Sequence, residues 1–347
     1  MIVVYVLILV LSFFLLYYFT EYHFIPSLDR IGQRMNMTSD IAGSTLMAIG
    51  SSAPELAVMV VSVMKSGHHE AIGVGTIVGS ALFNLFVITG VVMLIRHKSR
   101  LVWYPLARDL FFYLLAVLIL FWSFSDGSVD LIETVVLMAV YGVYLLVLYF
   151  WRHYFTYVDR EQSADTGEEK KGKAWKVDHI LRKVIPVENV FVIFILSVVL
   201  ISLLAWLLVN SAIFISDALG IPEFVIAIVV IAVGTSVPDL VSSVIVARQG
   251  RSGMAINNAV GSNIFDILIG LGLPLFLYII IGTSEQVTVM AEKKEMNLAF
   301  SFLGGSILLL LFFFLVNRWR THRATGILLI LLYLLYLILE IGGWLRI

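Results

Sequence analysis

The chain has 347 residues, of which 60% are hydrophobic and 14% charged, with no cysteine and a formal net charge of −1. A mean hydropathy of +0.99, set against the roughly 45 to 50% apolar residues usual in soluble domains, excludes a water-soluble protein. The absence of thiols excludes disulfides and thiolate metal sites.

Apolar runs of about 17 to 25 residues, the length a bilayer requires, predict ten spans. The first, near 2 to 20, opens on Met1-Ile2-Val3-Val4 with neither a basic leading region nor a small-residue cleavage site, so a retained helix is expected rather than a signal peptide. The next four lie near 40 to 64, 72 to 95, 105 to 124 and 131 to 151. Gly50-Ser51-Ser52-Ala53-Pro54-Glu55 sits in the second, and Gly79-Ser80-Ala81-Leu82-Phe83-Asn84 in the third. A charge at the centre of a spanning helix costs about 2.5 to 3.5 kcal/mol on insertion scales, so Glu55 is expected to face a cavity and a partner. Pro54 favours a cation as that partner, because proline leaves a carbonyl of the preceding turn without its donor, and such oxygens are tolerated where they line a cavity.

Residues 152 to 188 mix acidic and basic side chains around Asp165-Thr166-Gly167-Glu168-Glu169-Lys170 and are too short for a domain of typical size. They read as a flexible cytoplasmic linker with an amphipathic stretch near Val177 to Val184; their basic residues are better explained by topology than by lipid-headgroup contact.

Five further spans follow near 189 to 209, 223 to 247, 255 to 281, 297 to 316 and 325 to 341. Gly234-Thr235-Ser236-Val237-Pro238-Asp239 repeats the first signature 184 positions later, and Gly261-Ser262-Asn263-Ile264-Phe265-Asp266 repeats the second at an offset of 182. With five spans in each half, the second copy enters the membrane in the opposite direction to the first. The predicted fold is therefore an all-α integral membrane protein of ten transmembrane helices in two inverted five-helix repeats, residues 1–151 and 189–347, joined by the 152–188 linker. Inverted repeats with broken helices meeting at the midplane are the architecture of secondary transporters.

Four deep carboxyl or amide groups, Glu55, Asn84, Asp239 and Asp266, are accompanied by hydroxyls at Ser51, Ser52, Ser80, Thr235, Ser236 and Ser262. Oxygen donors with several carboxylates suit hard cations such as calcium, sodium and potassium, and argue against zinc or copper. A single hydroxyl in a spanning helix more often bonds its own backbone or a neighbouring helix; the repetition of the carboxylates beside prolines is what marks the site. Gly73, Gly75, Gly79, Gly261 and Gly270 read as close-packing devices. Glu21, Asp109, Glu133, Asp217, Glu223 and Glu340 fall near span ends and are expected at the interface. No cofactor is expected.

The chain resembles the sodium/calcium exchangers, and among them the potassium-dependent branch. The resemblance rests on Phe24-Ile25-Pro26-Ser27-Leu28, on Ala42-Gly43-Ser44-Thr45 through Glu55-Leu56, and on Gly73 through Ser80. It continues through Gly234 to Leu240, Ser243 to Arg248, Gly261 to Gly272 and Asn317-Arg318-Trp319-Arg320. It implies an antiporter in which inward sodium flow drives calcium out. Glu55 and Asp239 would then coordinate calcium at the centre, with Asn84, Asp266 and nearby hydroxyls completing the sodium and calcium sites. An aspartate at Asp266 is associated with potassium co-transport in that branch, whereas Val58 and Met59 stand where the branch usually carries hydroxyl residues.

The alternatives are a calcium/proton antiporter, a passive cation channel and an intramembrane aspartyl protease. The Gly-x-Gly-Asp pattern of such proteases is missing, since Gly270-Leu271-Gly272 is followed by Leu273, and an inverted repeat within one chain favours a carrier over a channel. Alternate loops at 21–39, 96–108, 152–188, 248–254 and 317–324 hold 19 of the 23 Lys and Arg residues. Basic loops stay in the cytoplasm, which places both termini outside, in a plasma membrane. Tags at both ends are expected to bind antibody on intact, unpermeabilised cells; protection of both would reverse the topology.

Overall fold

The computed structural model describes residues 1–34, 48–154, 189–282, 286–288 and 293–344. Helix is nearly the only structure in them, as expected where lipid offers no hydrogen-bond partner to a free backbone. The first half comprises α1 (Ile2–Phe19), a π-helical segment (Thr20–Phe24), α2 (Ile25–Arg34), α3 (Ala48–Ser51), α4 (Ala53–Met64), α5 (Glu70–Phe83) and a second π-helical segment (Asn84–Ile88). It ends with α6 (Thr89–Ile95), α7 (Trp103–Ser123), the strand β1 (Ser128–Asp130) and α8 (Leu131–Tyr154). The second half runs through α9 (Val190–Leu219), α10 (Glu223–Ile226), a π-helical segment (Ala227–Ile231), α11 (Ala232–Thr235), α12 (Val237–Arg248) and α13 (Ser252–Phe265). A fourth π-helical segment (Asp266–Leu271) leads into α14 (Gly272–Ile281), the strand β2 (Gln286–Thr288), α15 (Lys293–Val316) and α16 (Arg323–Trp344).

Among the described residues, eight helices are long and apolar enough to cross a membrane, and a ninth crossing results if the pair Glu223–Thr235 and Val237–Arg248, bent by 42°, counts as one. The span expected near 40 to 64 is described only from Ala48 onward, as α3 and α4. The linker at 155–188 and the motif at Ala42 to Thr45 lie outside the described residues.

Both helix breaks have the same local cause. Pro54 and Pro238 occupy the first turns of α4 and α12, where a missing N–H does no harm to the helix that follows. The carbonyls four residues back, at Gly50 and Gly234, lose their helical donor, and that of Gly234 is met by a backbone N–H at the end of α11. The residues capping the new helices, Ser52 (φ −89°, ψ 6°) and Ser236 (φ −82°, ψ 3°), adopt nearly the same backbone geometry. At the other end of α9, the left-handed Gly220 (φ 65°) closes the helix ahead of Pro222.

The span α5–α6 is the hub: 83% of its central window is buried, against 22% in the spans of α1 and α8. Helix association in lipid depends on close packing and interhelical hydrogen bonds rather than on water exclusion. Gly79 shows the requirement, since a Cβ there would lie 2.9 Å from the Ile228 Cα and 2.7 Å from the Ala232 Cβ. Gly75 meets Ala227 and Phe224 in the same way. At Gly261, by contrast, no described atom lies within 4 Å, so the packing expectation is not met there.

Helices α1 and α9 lie antiparallel outside this hub, with Tyr5 stacked on Phe214 at 3.9 Å near one end and Phe24 on Phe194 at 5.5 Å near the other. Phe13 of α1 rests against Gly234 at the second break, and the Lys65 ammonium after α4 donates to Asn210 Oδ1 of α9.

Two features depart from expectation. The antiparallel pairing of β1 with β2, a three-residue ladder in an otherwise all-helical fold, ties the halves together at one membrane face. At the opposite face Arg100 and Arg320 form a backbone bridge, flanked by Lys98 N to Thr321 O at 2.7 Å and Leu101 N to Trp319 O at 2.8 Å. Three-residue strands carry no periodic signal in sequence, which is why they were missed. Asp109 and Glu340, expected near span ends, are also shielded from solvent inside the protein, at 3% and 2% exposed. Asp109 accepts from Arg108 Nε at 2.7 Å and Tyr144 Oη at 3.3 Å, so its charge is compensated in place.

Gly79→Leu is expected to destabilise the purified protein by about 1 to 3 kcal/mol through overpacking, read as a lowered midpoint in thermal unfolding in detergent. Gly142→Ala, with open space around it, is expected to leave the midpoint unchanged.

Candidate ion-binding site

Four helices deliver the polar groups: α4 brings Glu55, α5 brings Ser80 and ends at Asn84, α12 brings Asp239, and α13 brings Ser262 and ends at Asp266. The two breaks contribute Ser51, Ser52, Thr235 and Ser236. All ten residues expected from sequence are buried, at 0 or 1% exposure.

Hydrogen bonds join these groups both within and between the halves. Ser236 Oγ donates to Glu55 Oε1 at 3.3 Å, and Ser80 Oγ, 2.8 Å from Ser236 Oγ, reaches the same carboxylate oxygen at 3.4 Å. Asn84 Nδ2 donates to Asp239 Oδ2 at 3.0 Å. Ser262 Oγ reaches Asp239 Oδ1 at 3.4 Å and lies 3.3 Å from Ser51 Oγ. Ser80 with Glu55 and Ser262 with Asp239 are thus matching contacts in the two halves. Thr235 behaves differently, its hydroxyl donating to the Ile231 and Ala232 carbonyls of its own helix at 3.2 and 3.3 Å.

Asn263 was not singled out by sequence. Its Oδ1 accepts from Asn84 Nδ2 at 3.0 Å, and its Nδ2 donates to the Ala81 carbonyl at 3.0 Å. Both hydrogens of the Asn84 amide are therefore engaged, one by Asp239 and one by Asn263, which fixes the direction of Asn84 Oδ1. The available signal was an asymmetry: Asn263 occupies the repeat position that Ala81 holds in the first half.

Five buried oxygens at this place, Ser52 Oγ, Glu55 Oε2, Asn84 Oδ1 and both carboxylate oxygens of Asp266, have no hydrogen-bond partner. A buried acceptor left unpaired costs about 1 to 3 kcal/mol, more if charged, and a hard cation is the partner that satisfies several oxygens at once. The carboxylates of Glu55, Asp239 and Asp266 act on one another electrostatically. Among the described residues no three carboxylate or imidazole side chains stand in the geometry of a self-sufficient metal centre; hydroxyl and amide oxygens make up most of the donor set. Asn84–Ile88 and Asp266–Leu271, the π-helical segments that start at the two matched polar residues, are the kind of helix irregularity that recurs at functional sites.

The sequence profile of the family described as sodium/calcium exchanger protein matches residues 4–150 and 189–342. The human sodium/potassium/calcium exchanger 5 is 29% identical, the alignment covering 96% of this chain and 82% of that protein. Mouse sodium/potassium/calcium exchanger 4 is 26% identical over 92% of this chain and 78% of its own length. Among solved structures, the H+/Ca2+ exchanger CAX superposes with a TM-score of 0.72 at 15% identity, covering 97% of this chain and 87% of that one, a likeness of fold. The sodium-calcium exchanger NCX_Mj superposes with a TM-score of 0.57 at 25% identity, covering 96% and 98%.

Glu55→Gln and Asp239→Asn are each expected to weaken calcium binding to the solubilised protein by about 100-fold or more, as loss of a charged ligand entails, measured by isothermal titration calorimetry. Thr235→Ala, whose hydroxyl serves its own helix, is expected to change the affinity by less than about tenfold.

Proposed function

Because this chain belongs to the sodium/calcium exchanger protein family, we propose that it exchanges sodium for calcium across a membrane by alternating access at one central site. It is a multi-pass integral membrane protein and a cation/calcium antiporter of that family. The observation that carries the finer reading is the cross-half cluster in which each helix break presents its carboxylate to a hydroxyl or amide of the other half, beside oxygens that lack a partner.

The ten residues named from sequence, Glu55, Asp239, Asn84, Asp266, Ser51, Ser52, Ser80, Thr235, Ser236 and Ser262, are assigned to this site, with Asn263 orienting Asn84. With the three carboxylates ionised the site carries three negative charges, matched by one calcium with one potassium or by about three sodium ions. Exchange follows if a half-filled site cannot reorient, since uncompensated carboxylates would have to cross a low-dielectric barrier. The antiparallel pair α1 and α9 is the element assigned to slide past the hub. The matching backbone at Ser52 and Ser236 supports two inverted five-helix repeats, residues 1–151 and 189–347, with residues 40–64 as the tenth span and 152–188 as a cytoplasmic linker. Both termini are placed outside, in the plasma membrane.

The fold does not choose the coupling ion, because a H+/Ca2+ exchanger shares it. Sodium is favoured by the Ser-Ala-Pro-Glu and Ser-Val-Pro-Asp signatures. Asp266 favours potassium co-transport, and the fully buried Val58 and Met59 offer no hydroxyl for a potassium ion.

Proteoliposomes loaded with sodium and diluted into sodium-free medium are expected to accumulate calcium, and Glu55→Gln is expected to abolish the uptake. External potassium that steeply stimulates uptake gives Asp266 the co-transport role; uptake driven by a proton gradient and indifferent to sodium replaces the sodium reading with calcium/proton antiport.

A further inference from the structure

Glu21 carries a solvent-excluded, unpartnered carboxylate oxygen that the central site does not explain. Sequence placed it at the interface, near the end of the first span. It is the second residue of the π-helical segment Thr20–Phe24 that follows α1, and that segment packs against Ala48–Ser51, the turn that carries Ser51 into the site. The side chain as a whole remains partly exposed, yet its Oε2 is shut off from solvent and has no hydrogen-bond partner. The neighbouring Thr20 is 0% exposed and its hydroxyl is likewise unpaired. The negative charge of Asp239, on a different helix in the other half of the chain, acts on Glu21.

Two carboxylates that repel each other at membrane depth, one with an inward oxygen lacking any donor, are stabilised by a cation between them. Glu21 also differs from every ligand of the central site in its placement. It continues α1 of the α1 and α9 pair, whereas Glu55 and Asp239 stand on α4 and α12 and Asp266 at the end of α13. Its end of α1 lies at the membrane face that carries the 96–102 and 317–323 loops, because α1, α4 and α5–α6 cross in alternation.

We propose that Glu21 is a cation-binding residue of the access path at that face, holding an ion between the surface and Asp239. Glu21 and the unpaired Thr20 hydroxyl take a hard cation, and the ion passes to Asp239 as α1 shifts. The role is one-sided: it acts on ions arriving from the face of the 96–102 loop and leaves those arriving from the opposite face unaffected. This inference rests on the antiporter reading above.

The test measures half-saturating calcium for exchange from each face separately, in inside-out and right-side-out membrane vesicles, for wild type, Glu21→Gln and Glu21→Asp. Glu21→Gln is expected to raise half-saturating calcium about fivefold to tenfold at the 96–102 face, as loss of one charged ligand does. The value at the other face and the maximal rate are expected to stay within about twofold, and Glu21→Asp to recover part of the loss. Unchanged values at both faces, or an equal shift at both, would overturn the proposal and leave the exchanger reading standing. Absence of sodium-driven and proton-driven calcium flux in wild-type vesicles would overturn the antiporter reading and the Glu21 role with it.

Discussion

The structure is organised around the difficulty of keeping carboxylates ionised where there is no water. Glu55 and Asp239 sit at the first turn after a broken helix, and each is met by a donor from the opposite half of the chain. That single requirement explains features that otherwise look unrelated. The prolines break the helices so that the capping serines Ser52 and Ser236 stand at the site. The small residues Gly75 and Gly79 let α5 approach α10 and α11 closely enough for Ser80 to reach Ser236. The deep burial of the α5–α6 span excludes lipid and water alike.

The donors that quiet these carboxylates are weak enough to be replaced. Contacts of 3.3 to 3.4 Å from serine hydroxyls are long for O–H···O bonds, whose usual separation is about 2.7 to 2.8 Å. A cation entering the cluster competes with hydroxyl dipoles and not with a full opposite charge such as arginine. Arg108 shows the contrast: it holds Asp109 at 2.7 Å, a pairing suited to permanence. A transport site has to bind without keeping, and an arrangement of neutral donors around acidic groups meets both demands.

Much of this was legible in the sequence. Among the described residues, hydropathy located the spans other than that near 40 to 64 to within a few residues, except that the first continues to Ser27 and α9 runs ten residues past its expected end to Leu219. The recurrence of Gly-Ser-Ser-Ala-Pro-Glu as Gly-Thr-Ser-Val-Pro-Asp named the carboxylates, because proline beside a charge has few roles in a spanning helix. What stayed hidden depends on which helices become neighbours. Asn263 looked like one more small polar residue until α13 was placed beside α5, where it clamps Asn84. Asp109 reads as an interfacial charge until Tyr144 is folded against it. The β1 and β2 strands are only three residues each, and no local pattern encodes a pairing across 158 positions.

The contacts that join the halves carry one more consequence. Residues 1–154 and 189–344 meet through the serine and asparagine bonds at the centre, the β1 and β2 ladder at one face and the Arg100 and Arg320 bridge at the other. Instructions for assembly are thus written in these mating surfaces. Seen as heredity, the chain behaves like two messages printed on one strip. The strip guarantees equal supply of both parts, and contacts at the centre and at both ends of the bundle set how the parts fit each other.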